Sequence, residues 1–205
     1  MSGHYYSKTP NVDHNRQDHN DSLRGYAMTF VTDSGVFSKA GVDYGSRVLI
    51  EAMELGERDR VLDVGCGYGP IGLTAAKLSS EGHVTMIDIN ERAVELAKEN
   101  ARKNKIGNVT VLQSDLFEAV KGKQFDAILT NPPIRAGKAV VHRIFEEGYE
   151  QLAEGGSMWV VIQKKQGASS AMDKLQSIFG EVEEVTKDKG YRILRAQKAG
   201  RNDLT

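Results

Sequence analysis

The chain has one cysteine, one tryptophan and four prolines in 205 residues, and neither sign of charge dominates: the formal net charge is −1. A lone Cys66 closes no internal disulfide, so the core has to hold the fold, and a reducing cytoplasm is the expected compartment. Apolar runs reach only strand length, which predicts no transmembrane helix. The first residues lack the apolar stretch of a secretory signal. With no overall basic field, any nucleic-acid partner has to be met by a local patch. Three of the five histidines, His4, His14 and His19, lie near the start. Their spacing is unlike the i, i+4 pairs of a helical zinc site, so no metal is expected.

Residues 1–25 read as a polar arm without periodicity, and residues 26–205 as one domain. Tyr26 to Thr32 alternates and is β-branched, which predicts a strand. Tyr44 to Leu55 has helical spacing. From Arg60 the pattern alternates between strand and helix. Strands are predicted at Arg60–Val64, His83–Asp88, Val109–Leu112, Phe125–Thr130 and Ser157–Ile162, and helices at Gly69–Ser79, Asn90–Lys103, Lys138–Ala153 and Ser170–Phe179. Val182–Thr186 and Tyr191–Ala196 are joined by too short a link for a parallel crossover, so they should form an antiparallel hairpin. The expectation is an α/β fold with a mostly parallel sheet and helices on both faces.

The densest signal is Val61-Leu62-Asp63-Val64-Gly65-Cys66-Gly67-Tyr68-Gly69-Pro70: an apolar strand, a glycine turn and a helix start. Such a turn lets a ligand approach bare backbone. In an open α/β sheet, ligands sit beyond the carboxyl ends of the strands. That rule gathers Asp63 and Gly65–Gly69, then Asp88, then Ser114-Asp115-Leu116, then Asn131-Pro132-Pro133-Ile134. Asp88 lies at the spacing of a ribose-binding carboxylate. Asp63 is a charge inside an apolar strand and needs donors, from loop amides or a ligand ammonium. The glycines alone also fit a nicotinamide dehydrogenase. Asn131-Pro132-Pro133 separates the two readings. The Asn131 oxygen and the Pro132 carbonyl can accept the two N–H bonds of an exocyclic amine and raise its nucleophilicity, while Pro133 stiffens the turn.

These residues resemble the class I S-adenosylmethionine-dependent methyltransferases, in particular the small-domain group that includes the bacterial small-subunit ribosomal RNA guanine-N2 methyltransferases. The resemblance runs from about Gly35 to the C-terminus. It rests on Gly35-Val36-Phe37-Ser38, Asp43-x-Gly45-Ser46, the Val61–Gly69 run, Asp88, Asp115 and Asn131-Pro132-Pro133. It implies a Rossmann-like sheet of about seven strands, the last antiparallel, and a monomer with S-adenosylmethionine as cofactor. Asp63 and Gly65, Cys66, Gly67, Tyr68 and Gly69 would hold the methionine end. Asp88 with Ile89 would bind ribose, and Asp115 with Leu116 adenine. Phe37, Asp43, Gly45 and Ser46 would close over the cofactor. Asn131, Pro132 and Pro133 would hold the amine, with Asn131 also facing the cofactor. Ile134 stands where such enzymes have an aromatic that stacks on the target base; it would complete the catalytic turn and pack on the base face, with Phe37 or Tyr68 supplying the ring. Arg135, Lys138, Lys164 and Lys165 follow two strand ends and would contact RNA phosphates, and a basic C-terminal end runs on to Arg201. The substrate expected is ribosomal RNA or a ribosomal subunit. A protein glutamine or small amine as substrate, and a non-catalytic RNA-binding or assembly factor, are the alternatives.

Overall fold

A computed structural model describes residues 6–200, so His4 and Arg201 lie outside the described residues. Nine strands and five α-helices make up this part: β1 (Gln17–Leu23), β2 (Tyr26–Thr32), α1 (Tyr44–Ala52), β3 (Arg60–Val64), α2 (Pro70–Leu78), β4 (His83–Asp88), α3 (Glu91–Lys103), β5 (Val109–Gln113), β6 (Phe125–Thr130), α4 (Lys138–Gln151), β7 (Leu152–Gln163), α5 (Ala168–Phe179), β8 (Val182–Asp188) and β9 (Tyr191–Gln197). Seven strands form one sheet in the order β5-β4-β3-β6-β7-β9-β8. The first five run parallel, and β9 is antiparallel to both β7 and β8. The expected final hairpin is therefore present.

Side-chain alternation in the strands sorts the core onto two faces. Val61 packs into a cluster with Leu49 and Ile50 of α1, Ile71 of α2 and Ala93 of α3. Leu62 and Val64 pack on the other face with Ile144 and Phe145 of α4 and Leu175 of α5. Asp63 lies between Leu62 and Val64 in the strand, so it faces the α2 side.

The polar arm expected over residues 1–25 needs correction. Gln17–Leu23 forms β1, paired antiparallel with β2. The strand is hard to see because Leu23 is its one buried residue, and its acidic side chains are paired outward: Asp18 with Lys103 and Asp21 with Arg47. The ribbon is held to α3 by two asparagines one turn apart. Asn100 Oδ1 accepts from Val31 N–H (2.7 Å) and its Nδ2 donates to Val31 C=O (3.0 Å), while Asn104 makes the same pair of bonds to Thr29 (2.9 and 2.8 Å). Each carboxamide thus serves a strand edge as a neighbouring backbone would, which is why Asn100 can be wholly buried.

Candidate active site

The strand order reverses at β3. The chain leaves it for β4 and β5, then returns to place β6 on its other side. Val64 is in register with Thr130 and with Ile87, so the residues that follow, Gly65, Asn131 and Asp88, end their strands at one level. Thr130 Oγ1 donates to Val64 C=O at 3.0 Å and ties the two central strand ends together. Beyond them lies a cleft with about 930 Å³ of empty space, its mouth open to solvent.

The glycine turn floors this cleft. Gly65 and Gly67 have φ of +74° and +55°, and a Cβ on either would meet no atom of the described residues within 4 Å. Gly65 and Cys66 N–H both donate to Ile87 C=O (2.9 and 3.0 Å), and Gly67 N–H donates to Asp88 Oδ2 (2.9 Å). Asp88 Oδ1 accepts from Asn90 N–H at 2.9 Å. Burial raises the Asp88 carboxyl to about 6, against the opposing pull of the Asn90, Gly67 and Ile89 amides. Its remaining lone pairs suit a vicinal diol. Beside it, Ile89, Ala93 and Leu116 give an apolar slot. Leu116 is held at a φ of +49°, with its carbonyl accepting from Ser114 Oγ at 2.7 Å.

At the other end Asn131 lines the cleft. Its Nδ2 donates to Asp43 Oδ2 (3.3 Å) and Ser46 Oγ (3.2 Å), and Asp43 Oδ2 also caps α1 by accepting from Ser46 N–H (3.0 Å). Pro133, at φ −76° and ψ 81°, makes an inverse γ-turn in which Ile134 N–H donates to Pro132 C=O at 2.9 Å. One lone pair of the Pro132 carbonyl is thus spent internally and one is left.

Of the residues singled out from sequence, the cleft is lined by Phe37, Asp43, Ser46, Gly65, Cys66, Gly67, Tyr68, Asp88, Ile89, Leu116, Asn131, Pro132 and Pro133. The others lie elsewhere. Gly45 faces Tyr191, where a Cβ would come within 2.8 Å of the ring, and Gly69 caps α2 in a left-handed conformation. Asp115 is exposed, and Ile134 packs against the α4–α5 core. Arg135, Lys138, Lys164 and Lys165 are exposed on the turns after β6 and β7. The Tyr68 ring is buried edge-on against Phe30, 5.7 Å between centroids, so it cannot stand in for the missing aromatic, whereas Phe37 is 44% exposed at the cleft.

Asp63 is 1% exposed and lies outside the cleft lining. Among the described residues neither of its oxygens has a partner in normal hydrogen-bond geometry, although the Gly72 amide lies close enough to favour ionisation; burial outweighs it and lifts the carboxyl to about 7. Burial, reinforced by the Asp88 and Asp63 charges, pushes the Cys66 thiol up, so it is no thiolate nucleophile.

Ser114, gathered by the strand-end rule, and Val36 of the upstream motif also line the cleft, together with residues that the sequence pattern did not mark as site residues: Tyr6, Ala93 and Ile144.

The glycine floor bare of side chains, the Asp88 carboxyl with lone pairs to spare and the apolar slot beside it suit S-adenosylmethionine. The methyltransferase small domain family matches residues 27–195. A Bacillus subtilis (strain 168) protein, YbxB, is 56% identical over 200 residues, 97% of this chain and all of that one. The ribosomal RNA large subunit methyltransferase G of Pseudomonas putida (strain W619) is 32% identical over 180 residues, 84% of this chain but 47% of that protein. A solved structure described as the T. thermophilus 16S rRNA N2 G1207 methyltransferase (RsmC) in complex with AdoMet and guanosine superposes with a TM-score of 0.79 at 28% identity, covering 92% of this chain and 52% of that one. The chain spans about half the length of these two RNA enzymes. It belongs to the methyltransferase small domain family, and is an S-adenosylmethionine-dependent methyltransferase.

Proposed function

We propose that the chain methylates an exocyclic amine of a ribosomal RNA base in the cytoplasm, with guanine N2 of the small-subunit RNA as the target. The observation that carries this reading is the fixed Asn131 carboxamide. Its nitrogen is committed to Asp43 and Ser46, which leaves Oδ1 as the group offered to a ligand. Bound S-adenosylmethionine supplies a methyl group on a positively charged sulfur, open to attack by a neutral amine. Asn131 Oδ1 and the spare lone pair of the Pro132 carbonyl accept the two amine N–H bonds. This draws the nitrogen lone pair out of the ring and stabilises the charge that develops on it. The S–CH3 bond would break as the N–CH3 bond forms, leaving a neutral thioether, and the amine proton, acidic once the nitrogen is alkylated, passes to solvent, so neither group has to take it.

Phe37 offers the base-stacking ring that Ile134 does not. Arg135, Lys138, Lys164 and Lys165 are exposed just after β6 and β7, where their charges suit phosphates. The guanosine named with the Thermus relative and the ribosomal RNA named for the Pseudomonas one support the substrate class. Mass-spectrometric mapping of both ribosomal RNAs from cells lacking the protein should show one N2-methylguanosine missing from the small-subunit RNA, restored by the wild-type chain and not by Asn131→Ala. A gap in the large-subunit RNA would move the target. Complete methylation of both RNAs with a labelled protein extract would favour a protein glutamine instead.

A further inference from the structure

The N-terminal segment follows a definite path to the cleft. Asp33 anchors its far end: Asn15 N–H donates to Oδ1 at 2.6 Å and His14 Nδ1 lies 2.6 Å from Oδ2. Arg92 Nη2 donates to Val12 C=O at 3.0 Å while its Nη1 donates to Ser34 C=O at 2.7 Å. Pro10 is buried over Gly35, which has no room for a side chain, since a Cβ there would come within 2.7 Å of Pro10 Cβ. Lys8 C=O accepts from Glu91 N–H (2.9 Å) at the start of α3 and from Gln113 Nε2 (3.4 Å) at the end of β5. The path ends at Tyr6, half-buried in the cleft wall with Asp88, Ile89, Ser114 and Leu116.

We infer that Tyr6 is a cofactor-binding residue whose ring covers the adenosine end of the site, and that residues 6–12 are a built part of that site. This rests on the reading that the Asp88–Leu116 end takes adenosine. Two observations support it. The segment is fixed by backbone carbonyls to α3 and β5, the elements that flank the ribose and adenine positions. The phenol is also pushed up by burial and then by the Asp115 and Asp88 carboxylates, so it lies in the field of both and stays a neutral ring. An aromatic face is a sequence-tolerant platform for a purine.

The test is calorimetric binding of S-adenosylmethionine, S-adenosylhomocysteine and methylthioadenosine to the parent chain, Tyr6→Ala, Tyr6→Phe and Asp88→Ala. Tyr6→Ala should weaken all three by about tenfold, the size of one lost base–aromatic stack, with unfolding of the free protein unchanged. Tyr6→Phe should stay within about twofold of the parent, since the ring and not the hydroxyl is at work. Arg92→Met, which frees the strap but keeps the ring, should speed cofactor dissociation. Parent affinity in Tyr6→Ala, or a loss in Tyr6→Phe as large as in Tyr6→Ala, overturns the proposal. Asp88→Ala keeps the two readings apart: if it abolishes binding while Tyr6→Ala does nothing, the Tyr6 role alone falls; if it too leaves binding intact, the adenosine site itself is misplaced.

Discussion

The amide nitrogen of Asn131 donates to Asp43 across 3.3 Å, although the two residues are 88 positions apart in the chain. A carboxylate can only accept, so Asp43 dictates which way round the carboxamide sits. The resemblance assigns Asp43 to the cofactor, and its bonds also fix the Asn131 carboxamide in the orientation that the proposed amine clamp uses. Asp43→Ser, which can still cap α1, should lower kcat by about 100-fold, the cost of misplacing a contact by about an ångström, while the Kd for S-adenosylmethionine stays within about twofold. In the double variant with Asn131→Ala the losses should not add, because both remove one interaction. A raised cofactor Kd with unchanged kcat would return Asp43 to the cofactor.

Asp88 carries a pH dependence of known sign. Only the ionised carboxylate accepts from both hydroxyls of a diol, and this one titrates near 6. Affinity for S-adenosylmethionine should therefore be flat above neutrality and fall as the pH drops through 6. The slope should approach a tenfold loss per pH unit, one proton being taken up. Asp88→Asn should bind weakly at every pH and show no slope. Titration calorimetry from pH 5 to 8 measures both.

Asp63 makes a different claim, on stability. Its folded value, about 7, lies above the unfolded 3.8. The folded state therefore binds the extra proton between these values. Its stabilising contribution is whole below 3.8 and is lost as the pH rises through 7. The free protein should lose stability from pH 5 to 8 at up to about 1.4 kcal/mol per pH unit from this group. Asp63→Asn should flatten that part of the profile in denaturant titrations.

Gly72 gives a packing test. A Cβ there would come within 2.7 Å of Met86 Cγ and 2.9 Å of Asp63 Oδ2. Gly72→Ala should cost about 1–3 kcal/mol by overpacking, despite the better helix propensity of alanine. In a Met86→Ala background, itself less stable by about 2–5 kcal/mol, the added cost of Gly72→Ala should shrink. Thermal unfolding of the single and double variants decides.

Much of the architecture was legible because parallel strands buried on both faces read as apolar runs, and because polar residues stood where those runs stopped: Asp88, Ser114, Asn131. The final hairpin followed from a link too short to cross the sheet. What escaped was carried by backbone. The bonds that bring Tyr6 to the cleft involve the carbonyls of Lys8 and Val12, which leave no mark in residue choice. The first strand escaped because it buries Leu23 alone, so its alternation has almost no apolar half. Gly45 and Gly69 matched a motif but serve helix packing and capping, a distinction that depends on which neighbour fills the space.

One guanidinium holds two loops. Arg92 grips Val12 in the N-terminal strap and Ser34 in the connection that leads to Phe37, within reach of the same α3 turn. Removing that guanidinium therefore loosens both loops at once, while each keeps an anchor of its own: Lys8 C=O still accepts from Glu91 N–H at 2.9 Å, and Asn90 Nδ2 still donates to Gly35 C=O at 2.7 Å.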